Sequence, residues 1–368
     1  MDDDTVAVCG EHAEMANLSK DGLAPDPYNK TVPTDVDIAY MSVEIACAVA
    51  SIFGNLLVII VFCQYKRLRT ITNYYVLSLA VADLFVGLVG IPSAIATSVG
   101  LPYNFQGCLF MNSFLMLLCT TSIFSLVAVS VDRFWAIMYP LNYPAIMTRT
   151  KAILIITFCW ILAAVIGLLP SMGWNKGHPE RPRCFFMEVM DLRYLAFINF
   201  ATIVAPTAFM AVVYTLIYRA VQNQVRRMSS HMLSRKGEPT RRLRAESKAA
   251  KSLAVIIIMF VISWLPLYTL NTVKCFSPTA NIPETAFKFT IALSHLNSVW
   301  NPVLYAWGMS DFKEALRRLY GLKPKAHYRR SDQTSIYCRL ECNVVYEACT
   351  SAKSLYKMTS GFDELIEK

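Results

Sequence analysis

Residues 293–305 read LSHLNSVWNPVLY, an apolar run interrupted by one histidine, two asparagines and a proline. Ser294, Asn297 and Asn301 recur at helical spacing and share roughly one face. Pro302 removes a backbone donor and should bend the helix beside them. At membrane depth a polar side chain loses its water hydrogen bonds, so it normally turns toward protein partners, a cavity or a ligand path. The run predicts the inner face of a membrane helix bundle; the alternative is amide pairing between helices without a ligand.

The composition predicts a membrane protein. The 368 residues are 55% hydrophobic and 17% charged, and the mean hydropathy is +0.40, which a soluble domain has little reason to reach. Seven apolar segments satisfy the length of about 20 residues that crosses a bilayer. The expected fold is all-α, a seven-transmembrane helix bundle with spans at 40–64, 72–98, 108–138, 151–171, 192–219, 249–273 and 285–308.

Basic residues cluster after the first, third and fifth spans, at 66–69, 149–151 and 226–244. Such loops are usually cytoplasmic, which predicts an extracellular N-terminus. The net charge of +9 then indicates topology and contact with membrane lipid, not nucleic-acid binding.

The spans divide the chain into four regions. Asn17 and Asn29 stand in glycosylation acceptor sequences on the predicted outer side. Apolar residues at i, i+4 and i+7 after the last span predict a short amphipathic helix 8 on the cytoplasmic membrane face. The regions are an extracellular tail (1–39), the transmembrane domain (40–309), helix 8 (310–322) and a cytoplasmic tail (323–368).

Two carboxylates, Glu44 and Asp83, lie inside predicted spans away from their cytoplasmic ends. Glu44 needs a partner, and His295 is the histidine of the seventh span, so we expect a hydrogen bond between them; alternatively Glu44 reaches the outer headgroups. Asp83 lies mid-span in the second helix. Ser122, Asn297 and Asn301 offer it neutral oxygens suited to a sodium ion; the alternative is a protonated aspartate in a dry cluster. Apart from this allosteric sodium ion, no cofactor is expected.

The third span carries features at both ends. Cys108 begins it, and Cys184 in a later loop is on the same outer, oxidising side, which favours a disulfide, although Cys9 and Cys275 are also predicted outside. Asp132 and Arg133 lie at its cytoplasmic end, and Glu246 opens the sixth helix. An arginine there can be held by a carboxylate in one state and released in another; the alternative is a set of solvated charges.

The sixth span contains Trp264 directly before Leu265-Pro266, where a proline kink lets the two halves swing. Asn271 lies two turns beyond Trp264 on the same face.

Together these motifs resemble the rhodopsin-like (class A) G protein-coupled receptors. They are Asn55, 79–83, 132–134, Trp160, 264–266 and 301–305. Finer runs are similar to adenosine receptors, at 43–44, 72–80, 107–110, 122–126, 173–175, 249–254 and 294–298. The resemblance implies a plasma-membrane receptor that passes agonist binding to heterotrimeric G proteins and modulates cyclic AMP, with arrestin and receptor kinase as further partners. Tyr214 and Tyr305 then join the switch formed by Asp132, Arg133 and Glu246.

The resemblance also implies an adenosine pocket. Phe186 would stack on the purine, and the Asn271 amide would give and accept hydrogen bonds on its edge. Ser294 and His295 would bind the ribose, with Glu44 as the partner of the histidine. The remaining pocket positions are Trp264 and an apolar wall of Leu115, Met116, Leu267 and Ile291.

Three pocket positions depart from the adenosine-receptor pattern. Met187 replaces a glutamate, Cys119 a threonine and Tyr268 a histidine. The fifth helix is also one residue short before Pro206. The alternative is therefore an orphan class A receptor for another small molecule. A monoamine would need an aspartate at Leu115, and retinal would need a lysine at His295.

Other function classes fit poorly. Five scattered histidines offer neither a nucleophile with a base nor a metal cluster, so an enzyme is not expected. The sequence also has no visible internal repeat of the kind found in many transporters.

Overall fold

The computed structural model describes residues 35–179, 183–231, 239–277 and 279–322, without the side chains of 224–254 and 310. The predicted glycosylation sites Asn17 and Asn29 and most of the cytoplasmic tail lie outside these ranges. The chain divides into two compact units, Met1–Tyr40 and Met41–Lys368. The packing described below is that of the second unit.

The described chain is built from helices, which confirms the predicted all-α class. We number the long ones α1 to α8; α2 and α5 each contain a wider π turn, at Val86–Gly90 and Phe200–Val204. The bounds are α1 Asp35–Gln64, α2 Ile71–Ser98, α3 Phe105–Met138, α4 Arg149–Leu168, α5 Leu192–Asn199 with Phe200–Val204 and Ala205–His231, α6 Pro239–Phe276, α7 Glu284–Gly308 and α8 Ser310–Leu319. Short helical turns lie at Lys66–Leu68, Tyr143–Ile146 and Phe186–Val189.

Six of these helices, within the described ranges, are long and apolar enough to cross a membrane. They are Asp35–Gln64, Ile71–Ser98, Phe105–Met138, Arg149–Leu168, Leu192–Asn223 and Val255–Phe276. Each coincides with a predicted span. α7 has 25 residues, within one residue of the predicted seventh span, but its polar side chains lower its hydropathy. Those side chains are largely buried, so α7 packs within the bundle as its seventh helix.

α3 is the central helix of the bundle. In its most apolar stretch 72% of the residues are buried, against 22% in α4. Large apolar side chains of α4, such as Leu154 and Phe158, are instead exposed, as expected for a lipid-facing helix. The main core, by contrast, collects side chains from several helices, including Leu79, Ile123 and Phe260.

α8 packs on the end of this core, as the predicted amphipathic helix 8 requires. Phe312 is 1% exposed and Ala315 4%. The Phe312 ring lies 6.0 Å from that of Tyr305 in α7. The polar face of α8 carries Arg317 and Arg318 in its last turn.

α3 and α4 approach closely at Gly167. A Cβ built on Gly167 would lie 2.5 Å from both Cα and N of Leu117 in α3, a distance that side-chain rotation cannot relieve. The glycine therefore sets the separation of these two helices.

We expect Gly167→Ala to destabilise the receptor by about 1–3 kcal/mol, because the helices must part to accept the methyl group. Thermal unfolding of the purified protein in detergent measures this. Gly107→Ala is the matched control within a helix, since its Cβ would stand 3.4 Å from the nearest atom. Equal melting temperatures for the two variants would contradict the prediction.

Candidate functional site

A disulfide bond lies at one end of the bundle, and we call this end the disulfide end. Cys108 in the first turn of α3 is bonded to Cys184, with Cα atoms 5.5 Å apart, which confirms the predicted pairing. The Asn112 amide donates to the Cys108 carbonyl oxygen at 3.0 Å, and Cys184 also forms an isolated β-bridge with Gly100. The loop that leads to α5 is thus fixed over this end.

The predicted stacking residue Phe186 follows the disulfide in the short turn Phe186–Val189. Its half-buried ring and the Met187 side chain pack on the cluster that contains both disulfide cysteines. Met116 of α3 packs on the same cluster. Three predicted pocket residues thus pack against the one cluster that surrounds the disulfide.

Most of the other predicted pocket residues belong to the main core. Leu115, Cys119 and Trp264 are buried in it, and Met116, Leu267 and Tyr268 pack against it. The Trp264 and Tyr268 rings are 5.6 Å apart. Met116 packs against both the main core and the cluster around the disulfide. Of the predicted apolar wall, Ile291 is half-buried and is not part of either cluster.

His295 and Glu44 form a buried pair between α7 and α1. His295 Nδ1 lies 2.8 and 3.0 Å from the two Glu44 carboxylate oxygens, and the residues are 4% and 0% exposed. This is the contact expected from the sequence. A Nδ1–H that donates to the carboxylate leaves Nε2 for another partner. Ser294, the neighbouring predicted ribose residue, donates its hydroxyl to the Ile291 carbonyl oxygen at 2.7 Å.

Asn271 lies on α6 beyond Pro266 and is half-buried. Among the described residues its amide has no hydrogen-bond partner. An asparagine amide can donate and accept at once, so Asn271 retains both capacities for a ligand.

The mid-membrane carboxylate of Asp83 is 0% exposed and receives hydrogen bonds from two other helices. Ser122 Oγ donates to Oδ1 at 3.2 Å and Ser298 Oγ at 2.8 Å, while Asn301 Nδ2 donates to Oδ2 at 2.7 Å. Asn297 is buried but is not among the donors within the described chain. Ser298 was not predicted, because Asn297 and Ser298, four and three residues before Asn301, share its face equally.

The donor set around Asp83 suits a small hard cation. It combines one carboxylate with two hydroxyl oxygens, and each hydroxyl that donates its proton keeps lone pairs for a cation. The buried side-chain oxygen Oδ1 of Asn55 has no hydrogen-bond partner among the described residues. Its Nδ2 donates to the Ser298 backbone carbonyl oxygen at 3.0 Å. The residues present therefore fit an ion with oxygen ligands.

At the opposite end, which we call the Arg133 end, Asp132 is the centre of a hydrogen-bond network. Arg133 Nη2 and Thr72 Oγ1 each lie 2.7 Å from Asp132 Oδ2, and the Tyr143 hydroxyl donates to Oδ1 at 2.6 Å. Burial, followed by the hydrogen bond to Asp132, raises the pKa of Tyr143 well above its usual value. Tyr143 therefore stays a neutral donor at physiological pH.

Other predicted members of the switch lie around this network. Glu246 is in α6, but its side chain lies outside the described side chains, so its pairing with Arg133 stays a prediction. Tyr214 packs beside Phe134 in a small cluster, and Tyr305 is 1% exposed. Thr72 and Tyr143 were not predicted, because hydroxyl side chains near helix ends are common and give little sequence signal.

We expect Tyr143→Phe to lower the stability of the receptor by about 1.5–3 kcal/mol, because it leaves a buried carboxylate oxygen without a donor. Thermal unfolding in detergent measures the loss. Tyr139→Phe is the control, since Tyr139 is 46% exposed. A Tyr143→Phe variant as stable as the control would show that the hydroxyl contributes nothing.

A surface cavity of about 400 Å³ also lies at the disulfide end. It is lined by the loop before α3 and the loop before α5, including Tyr103, Phe105, His178 and Arg183. None of the predicted ligand contacts lines it, so it is separate from the candidate pocket.

Comparison with known proteins agrees with this arrangement. Residues 54–305 match the 7 transmembrane receptor (rhodopsin family), and the chain belongs to that family. It is a multi-pass plasma-membrane receptor of class A, coupled to G proteins, and not an enzyme. Within the family it is similar to adenosine receptors.

Three relatives illustrate the similarity. Adenosine receptor A2a of Homo sapiens is 39% identical over 296 residues, which are 76% of this chain and 71% of that receptor. Adenosine receptor A2b of Homo sapiens is 37% identical over 303 residues, 77% and 90% of the two chains. Adenosine receptor A2b of Gallus gallus is 36% identical over 302 residues, 76% and 87%.

Proposed function

We propose that this receptor responds to extracellular adenosine or a closely related purine nucleoside and modulates cyclic AMP through heterotrimeric G proteins. The observation that carries the proposal is the buried His295–Glu44 pair, which fixes the imidazole and leaves one ring nitrogen for a ligand. The similarity to proteins that are named adenosine receptors supports the same ligand.

The purine would lie between Phe186 and Trp264. Asn271 would give and accept hydrogen bonds along the edge that carries the exocyclic amine. Leu115, Met116, Leu267 and Ile291 would form the apolar wall. Such a site combines a mainly apolar lining with a few polar groups that fix orientation.

The ribose would lie toward α7, where Ser294 and His295 are. Glu44 acts through His295, because its carboxylate holds the Nδ1–H side of the ring. Cys119 stands where adenosine receptors usually have a threonine that meets the ribose, so one hydroxyl fewer faces this part of the ligand. Tyr268 stands where they frequently have a histidine. A lost neutral hydrogen bond changes affinity several-fold, and these departures support a related small molecule as the second candidate.

Signal transmission would use the kink at Pro266. Agonist contact shifts Trp264 and lets the inner half of α6 part from Arg133, so that a G protein enters at the Arg133 end. Only a ligand with higher affinity for the open arrangement drives this change. We propose that Glu246, Tyr214 and Tyr305 take part in the same switch, and that arrestin, receptor kinase and membrane lipid meet this end.

This mechanism places the disulfide end and the N-terminus outside the cell. The basic loops 66–69, 149–151 and 226–244 would then face the cytoplasm, as the positive-inside tendency requires.

The ligand assignment predicts that adenosine changes cyclic AMP in cells that express the receptor. Asn271→Ala should abolish the response at normal surface expression, because the purine edge would then face a partly dehydrated pocket without partners. Met187→Glu should strengthen adenosine more than inosine, whose carbonyl cannot donate to the carboxylate. The measurement is a concentration–response curve for each nucleoside, with surface expression determined in parallel.

Two results would count against adenosine. A parent receptor that is silent in several G-protein assays, and stays silent with Met187→Glu, would favour another small molecule and leave the receptor class intact. A full adenosine response in Asn271→Ala would remove the proposed orientation of the purine.

We further propose that Asp83 and its partners hold a sodium ion that favours the closed arrangement. Asp83 and Ser122 would supply oxygen ligands, and α7 would supply the others. The sequence indicates Asn297 and Asn301 for this role, while the hydrogen bond to Asp83 favours Ser298. The ion would supply a positive charge to the buried carboxylate.

For this site we expect sodium to lower agonist affinity and to raise the melting temperature of the parent receptor, and Asp83→Asn to abolish both effects. Replacement of sodium by a large organic cation at constant ionic strength separates a bound ion from screening. Ser298→Ala should weaken the sodium effects more than Asn297→Ala. Equal insensitivity to sodium in parent and Asp83→Asn would exclude the site.

A further inference from the structure

Polar contacts join the halves of α5 and α6 that lie at the disulfide end. They are Asn199 Nδ2 to Thr272 Oγ1 at 2.7 Å, Thr202 Oγ1 to the Tyr268 hydroxyl at 3.5 Å and Cys275 Sγ to the Leu192 carbonyl oxygen at 3.6 Å. Residue numbers rise along one helix as they fall along the other, so we call these contacts the antiparallel α5–α6 ladder. The Asn199–Thr272 bond is the one with the length of a strong hydrogen bond.

Pro266 lies inside α6, so contacts with α5 matter for the segment beyond it. Proline has no N–H for the backbone bond of its turn, and its ring crowds the preceding turn, so the helix is weakened there. The segment beyond Pro266 is therefore held less firmly by its own backbone. Its rotation depends on contacts with neighbouring helices.

α5 presents two polar side chains to α6. Asn199 ends the first segment of α5, and Thr202 lies three residues later in the π turn Phe200–Val204. Residues three apart on a helix share a face. Asn199 accordingly contacts Thr272, and Thr202 contacts Tyr268.

Asn271 is the neighbour of Thr272 in the chain, about 100° away around the helix. It is half-buried, and its amide has no hydrogen bond with any other described residue. The direction of that amide is therefore set by the rotation of α6 and not by a bond of its own.

We infer that Asn199 and Thr272 are positioning residues, whose hydrogen bond sets the rotation of α6 beyond Pro266 and so directs Asn271 toward the ligand. Neither residue needs to touch the ligand for this effect. The part of the inference that concerns adenosine rests on the proposed function; the part that concerns the direction of residue 271 does not.

The direction of position 271 can be measured without any ligand. Asn271→Cys is labelled on intact cells with a charged, membrane-impermeant thiol reagent, in the parent background and together with Thr272→Val. The Thr272→Val change keeps the branched shape and removes the acceptor hydroxyl, so we expect the labelling rate to change several-fold. Backgrounds without Asn271→Cys correct for labelling of native thiols such as Cys275.

Two further variants act as controls for this labelling. Thr269→Val lies one turn earlier, where the Thr269 hydroxyl donates to the Leu265 carbonyl oxygen of its own helix, and it should leave the rate unchanged. Thr272→Ser keeps the hydroxyl and should restore the parent rate.

Adenosine affinity gives the second readout. Asn199→Ala and Thr272→Val should each weaken adenosine binding about five-fold, the usual effect of one lost hydrogen bond. Because both changes break the same bond, the double variant should be no weaker than either single variant. Independent residues would instead give effects that multiply.

The outcomes separate the two proposals. Equal labelling with Thr272→Val and Thr269→Val overturns the positioning inference, whatever adenosine does. Altered labelling with unchanged adenosine affinity overturns its link to the ligand. Altered labelling in a parent receptor that does not bind adenosine supports the positioning of residue 271 and overturns the assignment of adenosine.

Discussion

The packing of this receptor depends on a carboxylate placed where no bulk water reaches it. Asp83 is fully buried in α2, and an uncompensated charge there would cost several kcal/mol. α3 contributes the Ser122 hydroxyl, and α7 contributes Ser298 and Asn301. α1 joins through Ser51, whose hydroxyl donates to the Asp83 carbonyl oxygen. The carboxylate thus joins α2 to α3 and α7, while α1 is held by the Asp83 backbone and not by its side chain.

The same constraint explains which contacts could be predicted from the sequence. Acidic, histidine and amide side chains are rare in apolar runs and cannot satisfy themselves easily, so each one signals an inward direction and a partner. The Glu44–His295 contact and the closeness of Asn301 to Asp83 were recognisable for this reason, although the sequence suggested Asn301 as an oxygen ligand and its Nδ2 instead donates to Asp83. The apolar spans were predictable, because the length needed to cross a bilayer leaves little freedom. The polar extensions of two helices were not: α5 continues to His231 and α6 begins at Pro239, about ten residues beyond the predicted spans.

Hydroxyl side chains carry less information because they can bond to their own helix. Thr121 and Ser130 donate to carbonyl oxygens four residues earlier, and Ser294 to one three residues earlier. A serine in a span therefore does not reveal whether it has a distant partner. Ser298 does have one, in Asp83, and the sequence offered no reason to prefer it to Asn297. The π turn in α5 was equally hidden, because a wider turn depends on packing and not on residue type.

α7 connects the layers of the molecule along a single helix. His295 pairs with Glu44, Ser298 and Asn301 bond to Asp83, and Tyr305 contacts Phe312 of α8. Pro302 lies inside the helix between the last two layers, where a Cβ on Gly54 of α1 would stand 3.0 Å from the proline ring. A glycine there lets α1 approach the proline closely. Because these contacts share one helix, a displacement of His295 along α7 acts on the Asp83 hydrogen bonds as well. In the proposed mechanism, a ligand opens the receptor only if its preference for the open arrangement offsets the cost of those bonds.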